Sequence, residues 1–389
     1  MINRIKYCAL TTISDTMETF VISCVEYLYN NGYDITLICN MSGEFISKQS
    51  KNFNYYSIDI ERGFNLYKTV KSIFVLYKIF KKENFEIIQY GAENVSFCAS
   101  IAGFMAKIPV RIYEHWGSRY IGMKGFSRII VKLIERTIAT FSTDVRQVSF
   151  ENMNICIADN IYNSNKVKVN GKGGTIGVNL DLFNIDKKTD FNNDIRKRYS
   201  IENNVFIFGY VGTVRVDKGS NELLLAFKKL SENVKNIMLI MVGDIYDDDP
   251  IDPDLKRWAD ESDEVIFTGR VSDVYEYMAS FNALVHPSYR EGFGMVLQEA
   301  SAFALPIITT NIPGPRELII HNKTGLLVEK ANFRDLFEKM MLLYNDIELR
   351  NRLGKNAYNQ VVKHFDRKIK LQEILNDRNE LYEKRVVKK

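Results

Sequence analysis

Two hydrophobic periods alternate along this chain. Ile5 to Leu10 is a short apolar run closed by Thr11 and Thr12 and reads as a strand, after which Asp15-Thr-Met-Glu18 has the capping-box spacing of a helix start. A second strand is expected at Asp34 to Cys39. From Arg62 to Lys82 the pattern switches to 3.6: Leu66, Val70, Ile73, Tyr77 and Phe80 share one helical face, and Lys68, Lys71, Lys78 and Lys82 lie roughly opposite. Phe85 to Gln89, a helix over Ala99 to Ala106 and Val110 to Tyr113 continue the alternation. Short apolar runs interleaved with helical segments predict an α/β fold, a parallel sheet covered by helices on both faces.

The pattern then restarts. The polar, turn-rich stretch Asp181 to Asn204 is followed by a strand at Val205 to Val211, a helix at Glu222 to Leu230 and strands at Ile237 to Val242 and Val265 to Thr268. Next come a helix at Val274 to Ala279, a strand at Ala283 to Val285, a helix at Met295 to Phe303 and a strand at Pro306 to Thr309. Two successive doubly wound domains are expected, residues 1–183 and 184–364, which also suits a length of 389 residues. Ligands of such sheets bind beyond the carboxyl ends of the strands, so a cleft between two facing sheets is the expected active site.

Composition narrows the class. Apolar residues make up 46% and charged residues 26%, the balance of a globular protein, and a net charge of +4 without a dense basic stripe argues against nucleic acid as a partner. Cys8, Cys24, Cys39, Cys98 and Cys156 form no C-x-x-C and pair with no closely spaced histidines, a pattern of reduced, buried thiols. With no cleavable signal pattern and no apolar run of bilayer length, a cytoplasmic location is expected. The Arg62 to Lys82 helix, and the apolar-basic run Tyr120 to Leu133 with Lys124, Arg128 and Lys132, read either as surface helices with a buried stripe or as a peripheral docking face for anionic lipid.

Candidate chemistry concentrates in two loops. Ala283 to His286 ends at Pro287, and Arg290-Glu291-Gly-Phe293-Gly294-Met295 leads into a helix that carries Glu299. A strand, a glycine-flexed turn and a helix N-terminus favour an anionic ligand. Upstream, Gly209-Tyr-Val-Gly212-Thr213-Val-Arg215-Val-Asp-Lys218-Gly219 follows a strand in the same way. It fits neither a Walker A loop nor G-x-G-x-x-G, which leaves a flexible turn with two cations suited to a diphosphate, or a plain strand-helix connection. Asp247-Asp-Asp249 reads as a solvated acidic turn before Pro250 rather than a metal motif. His286 reads as a hydrogen-bonder at a strand end, and no nucleophile arrangement is found.

The run His286-Pro-Ser-x-x-Glu291-Gly-Phe-Gly-x-x-x-x-Glu299, with Val211-Gly-x-x-x-x-x-Lys218-Gly219, resembles the donor-binding half of retaining glycosyltransferase family 4. Ile240 to Asp244, Phe267 to Val271 and Thr324 to Val328 add to the likeness. Ile108 to Tyr113 with His115 and Gly117, and Gly173 to Asn179 before Phe183, are similar to its bacterial capsule and O-antigen branch. The resemblance implies a GT-B fold, two Rossmann-like domains facing across a cleft, with a C-terminal helix from about residue 365 to 389 crossing back to the first domain. It implies that Glu299 holds the ribose of a nucleotide sugar and Glu291 the donor sugar, that Phe293, Gly294 and Met295 shape the turn, and that Lys218 neutralises the diphosphate. Gly269, Arg270 and Val271 would contact the base, and His115 would reach the donor sugar.

One departure is the Thr213 that follows Gly212 where the family usually has arginine; either Arg215 reaches the diphosphate from a shifted register, or one cation is missing and Arg290 or Lys218 works alone. A second is the Thr11 to Thr16 loop, which lacks a glycine pair. The resulting expectation is a retaining transferase acting from a nucleoside diphosphate sugar, UDP in particular, onto a saccharide or lipid-linked acceptor in surface-polysaccharide assembly, with neither cofactor nor metal. A UDP-sugar epimerase on the same framework and a non-catalytic sugar-nucleotide binder are the alternatives.

Overall fold

The computed structural model describes residues 4–48, 50–60, 65–246 and 248–388. Arg62, the start of the expected basic helix, and Asp247 lie outside them. The chain forms two compact units, Met1–Ile176 with Ile369–Lys389, and Gly177–Lys368.

The first unit is built on seven strands: β1 (Ile5–Ile13), β2 (Tyr33–Asn40), β3 (Asn54–Ser57), β4 (Ile87–Gly91), β5 (Val110–His115), β6 (Asp144–Gln147) and β7 (Val167–Val169). They pair in the order β3-β2-β1-β4-β5-β6-β7, all parallel. Covered by helices on both faces, the central strands are buried without interruption and mostly apolar, as a parallel sheet requires: Tyr7 to Leu10 and Ile87 to Tyr90, Gln89 included, are buried throughout. The first helix begins at Ser14 with Ile13 before it and no side-chain cap, so the capping box expected from Asp15 to Glu18 does not form. Strand β1 runs on to Ile13 and takes up the residues that such a cap needs.

In the second unit, β8 (Phe206–Val211), β9 (Ile237–Val242), β10 (Val265–Gly269), β11 (Ala283–His286), β12 (Ile307–Thr310) and β13 (Leu326–Val328) pair in parallel in the order β10-β9-β8-β11-β12-β13. Strand order reverses between β8 and β11, where Ala283 lies opposite Phe208 and Leu284 opposite Gly209. Chains leave those two strands in opposite lateral directions, which opens a crevice at their carboxyl ends.

Boundaries fall earlier than the polar stretch suggests. Helix Lys188–Arg198 buries Ile195 and Arg196 and packs on helix Val274–Ser280. Phe183 meets Tyr275 and Phe303, and Val178 N–H donates to the carbonyl of Phe365. Residues from 177 onward therefore belong to the second unit, and Asp181 to Asn204 is an integral part of it. Helix Arg367–Tyr382 contributes Leu371, Ile374, Leu375 and Leu381 to the first unit's interior, while Ile369 stays exposed. That helix also buries charge. Arg378 is 1% exposed and bonds Gln89, Glu114 and Asp377; Asp377 takes Arg146 at 2.8 Å, and Lys370 donates to the Asn170 carbonyl at 2.9 Å.

On helix Leu66–Glu83 the buried face is Ser72, Leu76 and Phe80, not the full expected stripe: Leu66 and Val70 are exposed, as are Tyr67 and Phe74. Helix Gly125–Phe141 exposes Phe126, Ile129, Ile130 and Leu133, and both helices pack on Glu93–Met105. No helix among the described residues is long and apolar enough to cross a membrane.

Candidate active site

The loops after β8 and β11 meet at the switch point of the second sheet. Gly219 precedes helix Ser220–Ser231 with φ +72, and a Cβ there would run into the backbone of Pro287, so only glycine lets the two loops touch. Tyr289 N–H donates to the Asp217 carbonyl at 2.9 Å and joins them a second time. Neither Ser220–Ser231 nor Met295–Ala302 has a side-chain cap, so both present N-terminal amides at this end of the sheet.

Five charges in these loops are paired with one another or with Asp249 from the segment after β9. Lys218 Nζ lies 2.5 Å from Glu291 Oε1, and His286 Nε2 lies 3.1 Å from the same oxygen. Burial pushes the Glu291 carboxyl up, but Lys218 and His286 together more than offset it and hold the group well below the usual carboxylate range. Arg215 pairs with Asp217 at 2.6 Å and Asp249 at 3.4 Å, and Arg290 pairs with Asp217 at 3.0 Å. Asp249 also accepts from Asp217 N–H at 3.2 Å, so it braces the turn that carries Arg215 and is not simply solvated. Each cation expected to meet a diphosphate is thus held on a carboxylate, close at hand and oriented.

Glu299 differs from Glu291. It sits on helix Met295–Ala302, and burial pushes its carboxyl up to about 7, with Arg367 only partly opposing this. Phe293 is 4% exposed and packs on Phe365, anchoring the turn whose left-handed Gly294 opens the helix with Met295. Thr213 carbonyl accepts the Tyr210 hydroxyl, and Gly212 N–H donates to Val242. Beside them, the Gly269 carbonyl takes Gly243 N–H and Arg270 N–H donates to Asp244, which fixes the Gly269 to Val271 turn.

His115 belongs to the first unit. It ends β5 in the first unit, 1% exposed, with Nδ1 3.2 Å from Gln147, Nε2 3.1 Å from Ser118 Oγ and its ring stacked on Tyr113. Its ring is turned into the interior of the first unit. Asp217 and Arg367 escaped the sequence reading; the alternation Arg215-Val-Asp217-Lys218 was the available sign of the first, and nothing local marks the second.

Residues 191–360 match the family model described as Glycosyl transferases group 1, and residues 9–149 match Glycosyl transferase 4-like. The capsular polysaccharide biosynthesis glycosyltransferase CapM of Staphylococcus aureus is 30% identical over 351 residues, 90% of each chain. The chain belongs to the family 4, group 1 glycosyltransferases. A UDP-Gal:alpha-D-GlcNAc-diphosphoundecaprenol alpha-1,3-galactosyltransferase of Escherichia coli is 25% identical to this glycosyltransferase over 376 residues, 93% of each chain. HepE from Anabaena, solved in complex with UDP and glucose, shares the GT-B fold with a TM-score of 0.77 at 17% identity, over 97% of this chain and 100% of that one. In this transferase the two loops at the β8/β11 switch point lie within the group 1 match.

Proposed function

We propose that this glycosyltransferase moves a hexose or N-acetylhexosamine from UDP onto a lipid-linked saccharide, with retention at the anomeric carbon, in surface-polysaccharide assembly. The observation that carries the reading is the Lys218–Glu291–His286 cluster set between two uncapped helix N-termini at the switch point. CapM supports the pathway by its name, the Escherichia coli relative supports a lipid diphosphate acceptor by its own, and the latter and HepE support UDP.

In this reading Glu299 accepts the two ribose hydroxyls and Glu291, kept ionised by Lys218, accepts hydroxyls of the donor sugar. Lys218, Arg215 and Arg290 exchange their carboxylates for the diphosphate and, with the helix amides, stabilise its charge as the glycosidic bond breaks. The departing phosphate oxygen takes the acceptor's proton on the same face. No protein base or divalent ion is then required.

Acceptor binding falls to the first unit. A concavity there is lined by Trp116, stacked on Phe20 at 5.0 Å, with Glu114, Gln147 and Thr175, an aromatic face beside polar groups that suits the edge of a sugar ring. The exposed apolar rows Leu66, Tyr67, Val70, Phe74 and Phe126, Ile129, Ile130, Leu133, with Lys71, Lys78 and Lys124 nearby, suit an anionic membrane surface that carries the acceptor. Arg128 and Lys132 contribute less than expected because both are held by Asp159.

The test incubates the protein with UDP-, GDP- and dTDP-sugars and follows melting temperature. It then measures transfer of the stabilising sugar to an undecaprenyl-diphosphate saccharide in EDTA. Stabilisation by UDP-sugars and chelator-resistant transfer with an α product are expected. Conversion of the nucleotide sugar without acceptor would favour the epimerase, and transfer restored only by magnesium or manganese would overturn the metal-free mechanism.

A further inference from the structure

The geometry points to a buried site for one zinc-class divalent cation in the first unit, formed by His115, Glu135 and Cys156. The three come from β5, helix Gly125–Phe141 and helix Phe150–Ala158, and their ligand atoms all lie within 4.8 Å of one another. His115 Nε2 is 3.4 Å from Glu135 Oε2. Two ligand atoms on a tetrahedral zinc, with bonds near 2.0–2.2 Å, stand about 3.4 Å apart. Ser118 Oγ, 3.1 Å from Nε2 and 3.1 Å from Cys156 Sγ, sits where a fourth, neutral ligand belongs.

A second observation is independent of those distances. Glu135 is 0% exposed, and neither of its carboxylate oxygens has a hydrogen-bond partner among the described residues. Interiors seldom leave a carboxylate without a hydrogen bond, and here only the His115 imidazole, 3.4 Å away, is set against its desolvation. A divalent ion answers it: one carboxylate, one thiolate and a neutral imidazole bring the charge of a 2+ ion to zero. Nitrogen, sulfur and oxygen donors together select zinc over magnesium or calcium. Burial raises the Cys156 thiol, so in the metal-free protein it keeps its proton, and binding the ion releases that proton to solvent.

The surroundings suit an outer shell. Gln147 Nε2 lies 3.2 Å from His115 Nδ1 while its oxygen accepts Val148 N–H, which leaves the ring proton on Nε2. Binding at Nε2 moves that proton to Nδ1 and turns the amide so that its oxygen receives it, at the loss of the Val148 bond. Tyr120 OH reaches the sulfur at 3.5 Å and would donate to the thiolate. With all donors inward and Ser118 in the fourth position, the site is closed, and its effect is to tie β5 to two helices rather than to act on substrate.

The experiment uses the full chain, expressed with zinc in the medium and also refolded from denaturant with zinc, since the site is sealed in the folded state. After dialysis against metal-free buffer, metal analysis should find one zinc per chain. Refolding with cobalt should give a thiolate-to-cobalt absorption band. The isosteric Cys156→Ser should lose that band and bind at least tenfold more weakly, and Glu135→Gln should bind about tenfold more weakly while keeping the band. Refolding without metal should lower the melting temperature, restored by refolding with zinc and not with magnesium, a readout separate from metal dependence of transfer. Wild-type protein that carries no zinc above background by either route and shows no cobalt band overturns the proposal. So does a zinc content and melting temperature unchanged in both variants.

Discussion

Glu299→Gln should make the protein more stable while disabling its donor site. The carboxyl titrates near 7 in the fold against an ordinary 4.5, because burial disfavours its charge. At about 1.4 kcal/mol per tenfold in proton affinity, keeping it ionised in the folded protein costs about 3 kcal/mol. The fold binds this proton more tightly than the unfolded chain does, so stability falls as pH rises between about 4.5 and 7 and is flat outside that window. From pH 5.5 to pH 8 the wild type should lose about 2 kcal/mol through this group, and the glutamine variant should not. At pH 8 the variant should melt about 6–12 °C higher, given 2–4 °C per kcal/mol for a unit of this size. UDP should raise the wild-type melting temperature, more strongly above pH 7, where the carboxylate is available to both ribose hydroxyls. Its affinity for the variant should fall roughly tenfold or more, the worth of a hydrogen bond to a charged acceptor. Thermal unfolding across pH 5.5 to 8.5, with and without UDP, measures both. Parallel pH curves for the two proteins, or equal UDP affinity, would refute the reasoning.

Lys218→Met should take the lysine charge off Glu291, raise the Glu291 pKa and weaken UDP binding at least tenfold by calorimetry; wild-type affinity would remove Lys218 from the site. Asp249→Ala should loosen the Arg215 turn and weaken UDP by less than tenfold without creating metal dependence, and a larger loss would make the acidic turn a ligand. Arg378→Met should strand Glu114, while Asp377 keeps Arg146, and cost about 3–5 kcal/mol, seen as a lower urea midpoint for Trp116 fluorescence in a Trp258→Phe background; an unchanged midpoint would mean the network is dispensable. Lys71→Glu with Lys78→Glu should release the protein from anionic vesicles at about 1 kcal/mol per charge before reversal, and unchanged binding would return that helix to an ordinary surface role.

The elements most legible in the sequence were those whose burial is continuous. Phe206 to Val211 and Ile237 to Val242 are long apolar runs because both faces of a parallel strand are covered, and the structure places strands there. Strands β3, β6 and β7 were not legible: Asn54–Ser57 is partly exposed at the sheet edge, and Asp144–Gln147 carries Arg146, whose partner Asp377 lies far along the chain. The same division holds for the candidate site. Glycines and charges next to strand ends marked Lys218, Glu291 and Glu299, because local geometry demands them. The pairing of Arg215 and Arg290 with Asp217, and the inward turn of His115, depend on tertiary neighbours that no local pattern announces.

The buried salt links of Lys370, Asp377 and Arg378 also set an order of assembly. The second unit is one uninterrupted stretch of chain, whereas the first needs residues from both ends. As synthesis proceeds from the N-terminus, Glu114, Arg146 and the Asn170 carbonyl are made early and wait for partners that are made last. The unit that starts first is therefore the one finished last. A nascent chain stopped near residue 368 would hold a complete second unit and an open, uncompensated first one, the form most exposed to chaperones and to aggregation.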